Sequence, residues 1–432
     1  MKIALKDGNF ITDNSLDCQK NCYFVLTNSN KKFAPMAQNL GANIIKPKEA
    51  INLLNLKPIK LVGITGTNGK TTTAALICHI LNHLGHKTGL CGTRGAFVCD
   101  QKIAPKGLTT SQFLETLSYI KAASEAGCEY FVMEVSSHAI AQNRIESLDF
   151  DLKIFTNLTQ DHLDYHKSFD EYARVKSDFF SDESLKLINK DDKFIKFNKN
   201  NAYFYSCQDE NADFVALNCD FDDGINAKIS VKFDSQICQI KSNMQGKFNL
   251  YNILCAISAV NLLGFNDCDA ICDALGKFGG VEGRLEVVST NPLVIVDFAH
   301  TPDGIEKVLS AMSHKDLIVV FGAGGDRDKT KRPIMGQIVE KYAKIPIITS
   351  DNPRSENPSE IINEIKSGMK NQSVICIEDR KEAIAKALNL AINGQTIAIL
   401  GKGDETTQEI NGVLYPFSDK EVVLNLLKDE KI

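Results

Sequence analysis

The stretch Leu61–Gly85, LVGITGTNGKTTTAALICHILNHLG, constrains this chain more than any other. Leu61, Val62 and Ile64 form a short apolar run that reads as a buried strand. GTNGKTTT (Gly66–Thr73) follows, and Leu76, Ile77, Ile80, Leu81 and Leu84 then recur at helical spacing before a stop at Gly85. Strand, glycine loop and helix in that order are the context of a phosphate-binding loop. Glycines allow backbone N–H groups to turn inward around phosphate oxygens, and the helix N-terminus adds positive potential. Gly66, Thr67, Asn68, Gly69, Lys70, Thr71 and Thr72 are therefore expected to hold a nucleotide, with Lys70 on the β/γ-phosphates and the Thr71 hydroxyl on Mg²⁺. The strict G-x-x-x-x-G-K-[ST] pattern wants glycine at position 64, where this chain has Ile64; its glycines stand at 63 and 66.

With 432 residues, a prior of about 150 per domain predicts about three domains. A net charge of −5 gives no broad basic field, so nucleic acid is not an expected partner. No apolar run approaches the ~18 residues of a membrane span, and MKIALKDGNF does not read as a signal peptide. The 13 cysteines are scattered without any C-x-x-C, and are expected as reduced thiols and small core residues of a cytoplasmic protein.

Along the chain, Cys22–Thr27 and Ala42–Ile45 read as strands around a weak helix near Phe33–Leu40. His79 and His83 have metal-ligand spacing, but without the Glu of H-E-x-x-H they read as ordinary helix residues. Tyr130–Val135 is a strand interrupted by Glu134. A buried carboxylate is costly unless it meets a cation, and beside a phosphate loop that cation is the nucleotide's Mg²⁺. After the strand of KIFTNLTQDHLDYH, Asp161, His162, Asp164 and His166 fit either a metal site or a hydrogen-bonded turn. The helix Phe169–Phe180 carries Lys176. Asn189-Lys190-Asp191-Asp192 imitates the guanine-reading N-K-x-D, but no D-x-x-G lies between residues 71 and 189, so a switch GTPase is excluded. Residues 194–240 alternate like a small β-rich insert, helices follow from Gly246 and near Asp269–Leu275, and GGVEGRLE (Gly279–Glu286) reads as an exposed hinge. From residue 290, five apolar strands separated by helical stretches predict a parallel doubly wound sheet. Polar groups at four strand ends should line one binding edge: Asp297 and His300, Arg327, Asp351–Arg354, and Lys402, Asp404 and Glu405.

In order, GTNGKTTT, MEVSSH, TNLTQDHLDYH, GKFNLYN, GRLE, DFAHTPD, GGDRDKTKRP and DNPR resemble the Mur ligases over roughly residues 61–415. The resemblance implies an α/β chain of three domains: a UDP-substrate cap (1–60), a central P-loop ATPase (61–282) and a C-terminal Rossmann-like domain (283–432). It further implies the third ligase step of that family. There ATP activates the D-glutamate γ-carboxylate of UDP-N-acetylmuramoyl-L-alanyl-D-glutamate as an acyl phosphate, and a diamino acid attacks it. Such an enzyme is expected to act as a cytoplasmic monomer on small molecules.

By motif, the resemblance places Thr71, Glu134, His162 and Lys176 on Mg²⁺, with Lys176 converted by CO₂ to a carbamate. It assigns Asn249, Asn252, Arg284 and Asp297 to ATP, and Thr109, Thr110, Ser136, Gln142 and Arg144 to the muramoyl dipeptide. Asn14 and Ser15 fall at the uracil end, where T-D-N-S replaces the common D-S-R. Arg327, Asp351, Asn352, Pro353, Arg354, Gly401 and Glu405 would form the amino-acid pocket. DNPR is the version associated with meso-diaminopimelate rather than L-lysine, since an arginine can grip the distal carboxylate. Asp404 stands where the family usually has histidine. Folylpolyglutamate synthetase shares the loop and the chemistry and is the nearest alternative.

Overall fold

The computed structural model describes residues 1–221, 224–231, 236–312, 316–391 and 394–429; Leu163, Asp164, Gln236 and Asp429 are described by backbone only. Three successive sheets organise the chain. The first has four short strands in sequence order, Lys2–Ala4, Phe10–Thr12, Tyr23–Val25 and Asn43–Ile45, the first pair antiparallel and the rest parallel. Ile3, Ile11, Val25 and Ile45 pack on Phe113, Leu114 and Leu117 of the helix Phe113–Glu125, seating this sheet on the next.

The central sheet has eleven strands, and the glycine-loop strand Lys60–Thr65 lies in its interior. Leu152–Phe155 and Tyr130–Glu134 flank it, both parallel. A strand buried on both faces reads as a continuous apolar run, and Leu61–Thr65 is buried throughout. The helix Lys70–His83 starts at Gly69, whose φ of 87° suits a residue without Cβ. Leu76, Ile77, Ile80 and Leu81 are all fully buried, each stabilising the fold by about 1.5–3 kcal/mol. They share one core with the helix Lys247–Leu262, whose own apolar residues are covered on nearly every side.

Residues 194–240 supply the strands Ala202–Ser206, Phe214–Asp220, Ile225–Val231 and Gln236–Ser242, which extend the central sheet outward from Lys186–Asn189. Asp191 and Asp192 serve this extension: Asp191 accepts from Ser206, Cys207 and Tyr251, and Asp192 from Leu158 and Phe194. The thiol expectation fails at one pair. Cys238 and Cys268 form a disulfide, because the last strand packs on the helix Cys268–Gly276 and brings their Cα atoms to 5.3 Å. The other eleven cysteines are free. His79 and His83 also meet that region, at Ala274 O and Asp273 (2.8 Å each), as packing residues.

The third sheet runs Glu286–Thr290, Leu293–Asp297, Thr396–Leu400, Leu317–Phe321, Ile345–Ile348 and Ile375–Cys376. Five strands are parallel and Glu286–Thr290 is an antiparallel edge. The expected exposed hinge at 279–286 is instead partly packed. Only Gly279, Gly280 and Glu282 are exposed, while Val281 and Gly283 are buried and Val281 bridges to Arg284. A Cβ on Gly283 would strike the backbone of Gly403 and Asp404.

Candidate active site

The phosphate loop leaves the carboxyl end of Lys60–Thr65 and is stapled to the neighbouring strand end. Asn68 N donates to Asn157 Oδ1 (2.9 Å), Thr156 Oγ1 donates to Asn68 O (2.7 Å), and the Thr67 hydroxyl bonds Tyr172 OH (3.1 Å). Gly66 and Gly69 are required: a Cβ would drive into Thr156 at the first and Asn252 at the second. Asn252 is held by Asn249 (2.9 Å), which places both expected asparagines under the loop, while Thr72 is buried in the first helical turn.

Lys70 Nζ donates to Gly66 O and Thr67 O (2.8 and 2.9 Å). Lys176 Nζ, 1% exposed, donates to the same Gly66 carbonyl at 2.9 Å and to Thr65 Oγ1 at 3.2 Å. Burial, followed by the nearby Lys70 cation, drives the Lys176 amine well below its ordinary pKa. Burial also lowers Lys70, with Glu134 and Asp161 opposing. Burial and a neighbouring cation both disfavour the charged form of the Lys176 amine.

Thr71 Oγ1 donates to Glu134 Oε1 (2.9 Å), and Thr93 gives that carboxylate two further hydrogen bonds. A hydroxyl and a carboxylate at one strand end are the hard oxygen donors that Mg²⁺ takes. His162 lies 3.5 Å from Asp161 and edge-on to His138, with its imidazole held neutral by burial. Lys70 and Lys176 both act on it electrostatically. His166 is buried against Ser137 Oγ (2.9 Å), so that part of the segment is a hydrogen-bonded turn; Asp164's side chain lies outside the described residues. Among the described residues, no group of three or more His, Cys, Asp or Glu side chains is placed to hold a metal.

The dipeptide candidates gather next door. Thr110 Oγ1 donates to the Glu134 carbonyl (3.0 Å) and approaches Ser136 Oγ at 3.2 Å. Arg144 reaches Thr110 O (2.9 Å) and grips Gln142 Oε1 through two nitrogens. Thr109 meets Thr93 at 3.2 Å. Asn14 and Ser15 are placed apart, on the first sheet, where Asn14 caps the short 3₁₀ turn Ser15–Asp17 and Ser15 is buried.

At the third sheet, Asp297 accepts from Leu285 N and Ala299 N (2.7 Å each), and burial raises its carboxyl. Arg284 lies 4.3 Å over the Phe298 ring. Asn352 Nδ2 donates to Glu405 Oε2 (2.9 Å), and Lys402, fully buried, donates to both residues at 3.0 Å. Arg354, at φ 53°, donates to Gly325 O (2.7 Å) and Glu409 (3.2 Å). A Cβ on Gly324 would meet Arg354 Nη1 at 2.9 Å and Arg327 Cγ at 3.8 Å, so both arginines flank one glycine. Pro353 crosses over Gly325, and Asp351 abuts Gly401, whose N–H donates to Asp297 O. Lys402, expected at this sheet's edge but not among the residues that the resemblance assigns to the amino acid, is thus bonded directly to two of them. Sequence reasoning does not single out every such group: it missed Lys106, which crosses from the central sheet to Asp404 at 3.0 Å and carries no local signature.

Fold and site together define a multi-domain P-loop α/β protein with a mixed-charge cluster at the carboxyl ends of the strands of its second large sheet. Residues 64–260 match the family model "Mur ligase middle domain" and residues 283–403 match "Mur ligase, glutamate ligase domain". A protein of Wolinella succinogenes named UDP-N-acetylmuramoyl-L-alanyl-D-glutamate--2,6-diaminopimelate ligase is 47% identical over 420 residues, covering 97% of this chain and 96% of that one. One of the same name from Helicobacter pylori is 45% identical, covering 96% and 95%. A solved structure with that name aligns at a TM-score of 0.69 and 28% identity over 98% of this chain and 95% of that one. A folylpolyglutamate synthase of Mycobacterium tuberculosis has a TM-score of 0.68 at 16% identity, over 82% and 91%, a likeness of fold alone. The chain belongs to the Mur ligase family, whose members are ligases.

Proposed function

We propose that this enzyme uses ATP to join meso-2,6-diaminopimelate to the D-glutamate γ-carboxylate of UDP-N-acetylmuramoyl-L-alanyl-D-glutamate, a step of peptidoglycan precursor synthesis. The observation that carries the reading is a buried phosphate loop with converging lysines on the central sheet, together with a third-sheet cluster where Asn352, Arg354, Lys402 and Glu405 present both charges. The names of the relatives support the same substrates.

A carboxylate is a poor electrophile with a poor leaving group, so phosphorylation must precede amine attack. The chain's contribution is charge neutralisation and positioning. Lys70 and the loop N–H groups take the β/γ-phosphates, while Asn249, Asn252, Arg284 and Asp297 hold the rest of ATP. Thr71 and Glu134 would hold Mg²⁺, which supplies charge neutralisation at the phosphates, and His162 would hold a second ion. Lys176 would join them as a carbamate: the neutral amine adds to CO₂ carbon, loses a proton to water, and becomes an anionic oxygen donor. Thr109, Thr110, Ser136, Gln142 and Arg144 orient the dipeptide, and Asn14 and Ser15 hold its uridine end. Arg327 and Arg354 receive the amino acid's carboxylate, and Asp351, Asn352, Pro353, Gly401 and Glu405 surround its ammonium groups.

We further assign three domains, 1–60, 61–282 and 283–432, to a cytoplasmic monomer. Among the described residues, no helix is long and apolar enough to cross a membrane. The test is phosphate release from ATP with the UDP-muramoyl dipeptide, comparing meso-diaminopimelate with L-lysine. Turnover confined to diaminopimelate is expected. Preference for lysine would overturn the pocket assignment, and turnover with neither would remove the ligase reading.

A further inference from the structure

The loop 104–111 lies between two parts of the site. At one end, Thr109 and Thr110 are tied to the strand end of Glu134: Thr110 Oγ1 donates to the Glu134 carbonyl, and Thr93 bonds both Thr109 and the Glu134 carboxylate. Three residues before Thr109, Lys106 leaves the central sheet altogether. Its Nζ donates to Asp404 Oδ1 at 3.0 Å, stands 3.9 Å from Glu405 Oε1, and lies 5.0 Å from the centre of the Phe298 ring. Arg284 covers that same ring at 4.3 Å. Asp404 is only 10% exposed and Lys106 27%, so water screens the pair less than it would a surface pair.

The far side of this contact is closely packed: Gly283 lies directly on the backbone of Gly403 and Asp404. Glu405 accepts from both Asn352 and Lys402 within the mixed-charge cluster. Burial raises its carboxyl, but Lys402 and then Lys106 outweigh that and hold it below the ordinary value, so it remains anionic.

We propose that Lys106 and Asp404 form a positioning pair that sets the acceptor amino acid against the activated carboxylate. Lys106 touches no reacting atom. By gripping Asp404 it fixes Glu405, and with it the acceptor's ammonium, at a set distance from the loop that carries Thr109 and Thr110.

This inference rests on the ligase reading above, so wild-type turnover is measured in parallel: no product from wild type would remove that reading. With wild type active, Lys106→Ala is expected to raise KM for meso-diaminopimelate about tenfold while leaving KM for ATP within about twofold. Asp404→Asn should do the same, Lys106→Arg should stay near wild type, and Lys106→Asp combined with Asp404→Lys should recover much of the loss. A purely structural contact would instead move all kinetic constants together. An unchanged KM in Lys106→Ala, a parallel rise in KM for ATP, or a charge-reversed pair no better than its single variants would overturn the proposal.

Discussion

Two lysines donating to one carbonyl are hard to reconcile with two full charges, and Lys176 is the one that gives way. Its amine is sealed by Tyr172, whose ring centre is 5.0 Å away, and driven toward the neutral form by burial and by Lys70. Only a neutral amine adds to CO₂. Protein supplied with ¹³C-bicarbonate should therefore show a carbamate signal by ¹³C NMR that Lys176→Ala lacks, and the variant should lose activity by about a hundredfold or more. Full activity in Lys176→Ala would remove this lysine from the mechanism. Arg354 makes a second argument at this scale. Its positive φ and its bond to Gly325 O fix the guanidinium rather than leaving it to search for a partner. Arg354→Ala should raise KM for meso-diaminopimelate about thirtyfold with little change for ATP, as expected for a lost charge-assisted pair. Arg354→Lys should recover only part of this, because an ammonium cannot reproduce the planar fork. Equal KM values in all three proteins would place the distal carboxylate elsewhere.

Elements of the third sheet are held by buried charge as much as by apolar packing. Arg332, fully buried on the helix Lys331–Tyr342, donates to Glu356 through two nitrogens (2.9 Å each) and to Glu364 at 2.6 Å on the helix Pro358–Lys366. The Arg332 hydrogen bonds are the main reason the Glu356 carboxyl is held at about 2 instead of 4.5. A carboxyl depressed by folding stabilises the protein fully above 4.5, and that contribution is lost as pH falls toward about 2. Glu356→Gln should thus cost about 3 kcal/mol near neutral pH by leaving Arg332 under-paired, and denaturant melts should show a flatter stability profile across that acid window. This ion cluster was not legible in the sequence, whereas the strands around it were. Leu317–Phe321 and Thr396–Leu400 declare themselves by continuous apolar runs, and the glycine-loop helix by its spacing, because those signals are local. Arg332 reads as one more charge on an amphipathic helix until tertiary packing covers it. Cys238 and Cys268 are similar: a separation of 30 residues says nothing until a sheet edge folds against a helix. The connector at 279–286 looked exposed because glycine is permissive, yet Gly283 is glycine so that another backbone can approach it.

At the scale of the whole molecule, the nucleotide loop is not the property of one sheet. Asp303, in the first turn of the helix Pro302–Ala311 beside the third sheet, accepts from Asn68 Nδ2 at 2.7 Å, from Thr159 Oγ1 at 3.3 Å and from Lys307 at 2.8 Å. Asn68 lies inside the phosphate loop, and its backbone is already fixed by Asn157. Asp303 therefore couples loop shape to the approach of the two large sheets, and nucleotide affinity should report on that approach. Removing the carboxylate leaves the central core intact, since Leu76, Ile80 and Ile253 are buried without its help. Asp303→Ala is expected to raise KM for ATP about fivefold, the size of one partly exposed charged hydrogen bond, with a wider small-angle scattering profile in the nucleotide-free protein. Asp303→Asn, which keeps an acceptor for Asn68 but loses the charge that draws Lys307, should fall between the two. If Asp303→Ala binds ATP as tightly as wild type, the loop is shaped by the central sheet alone, and the contact between the sheets is a consequence of closure rather than part of the nucleotide site.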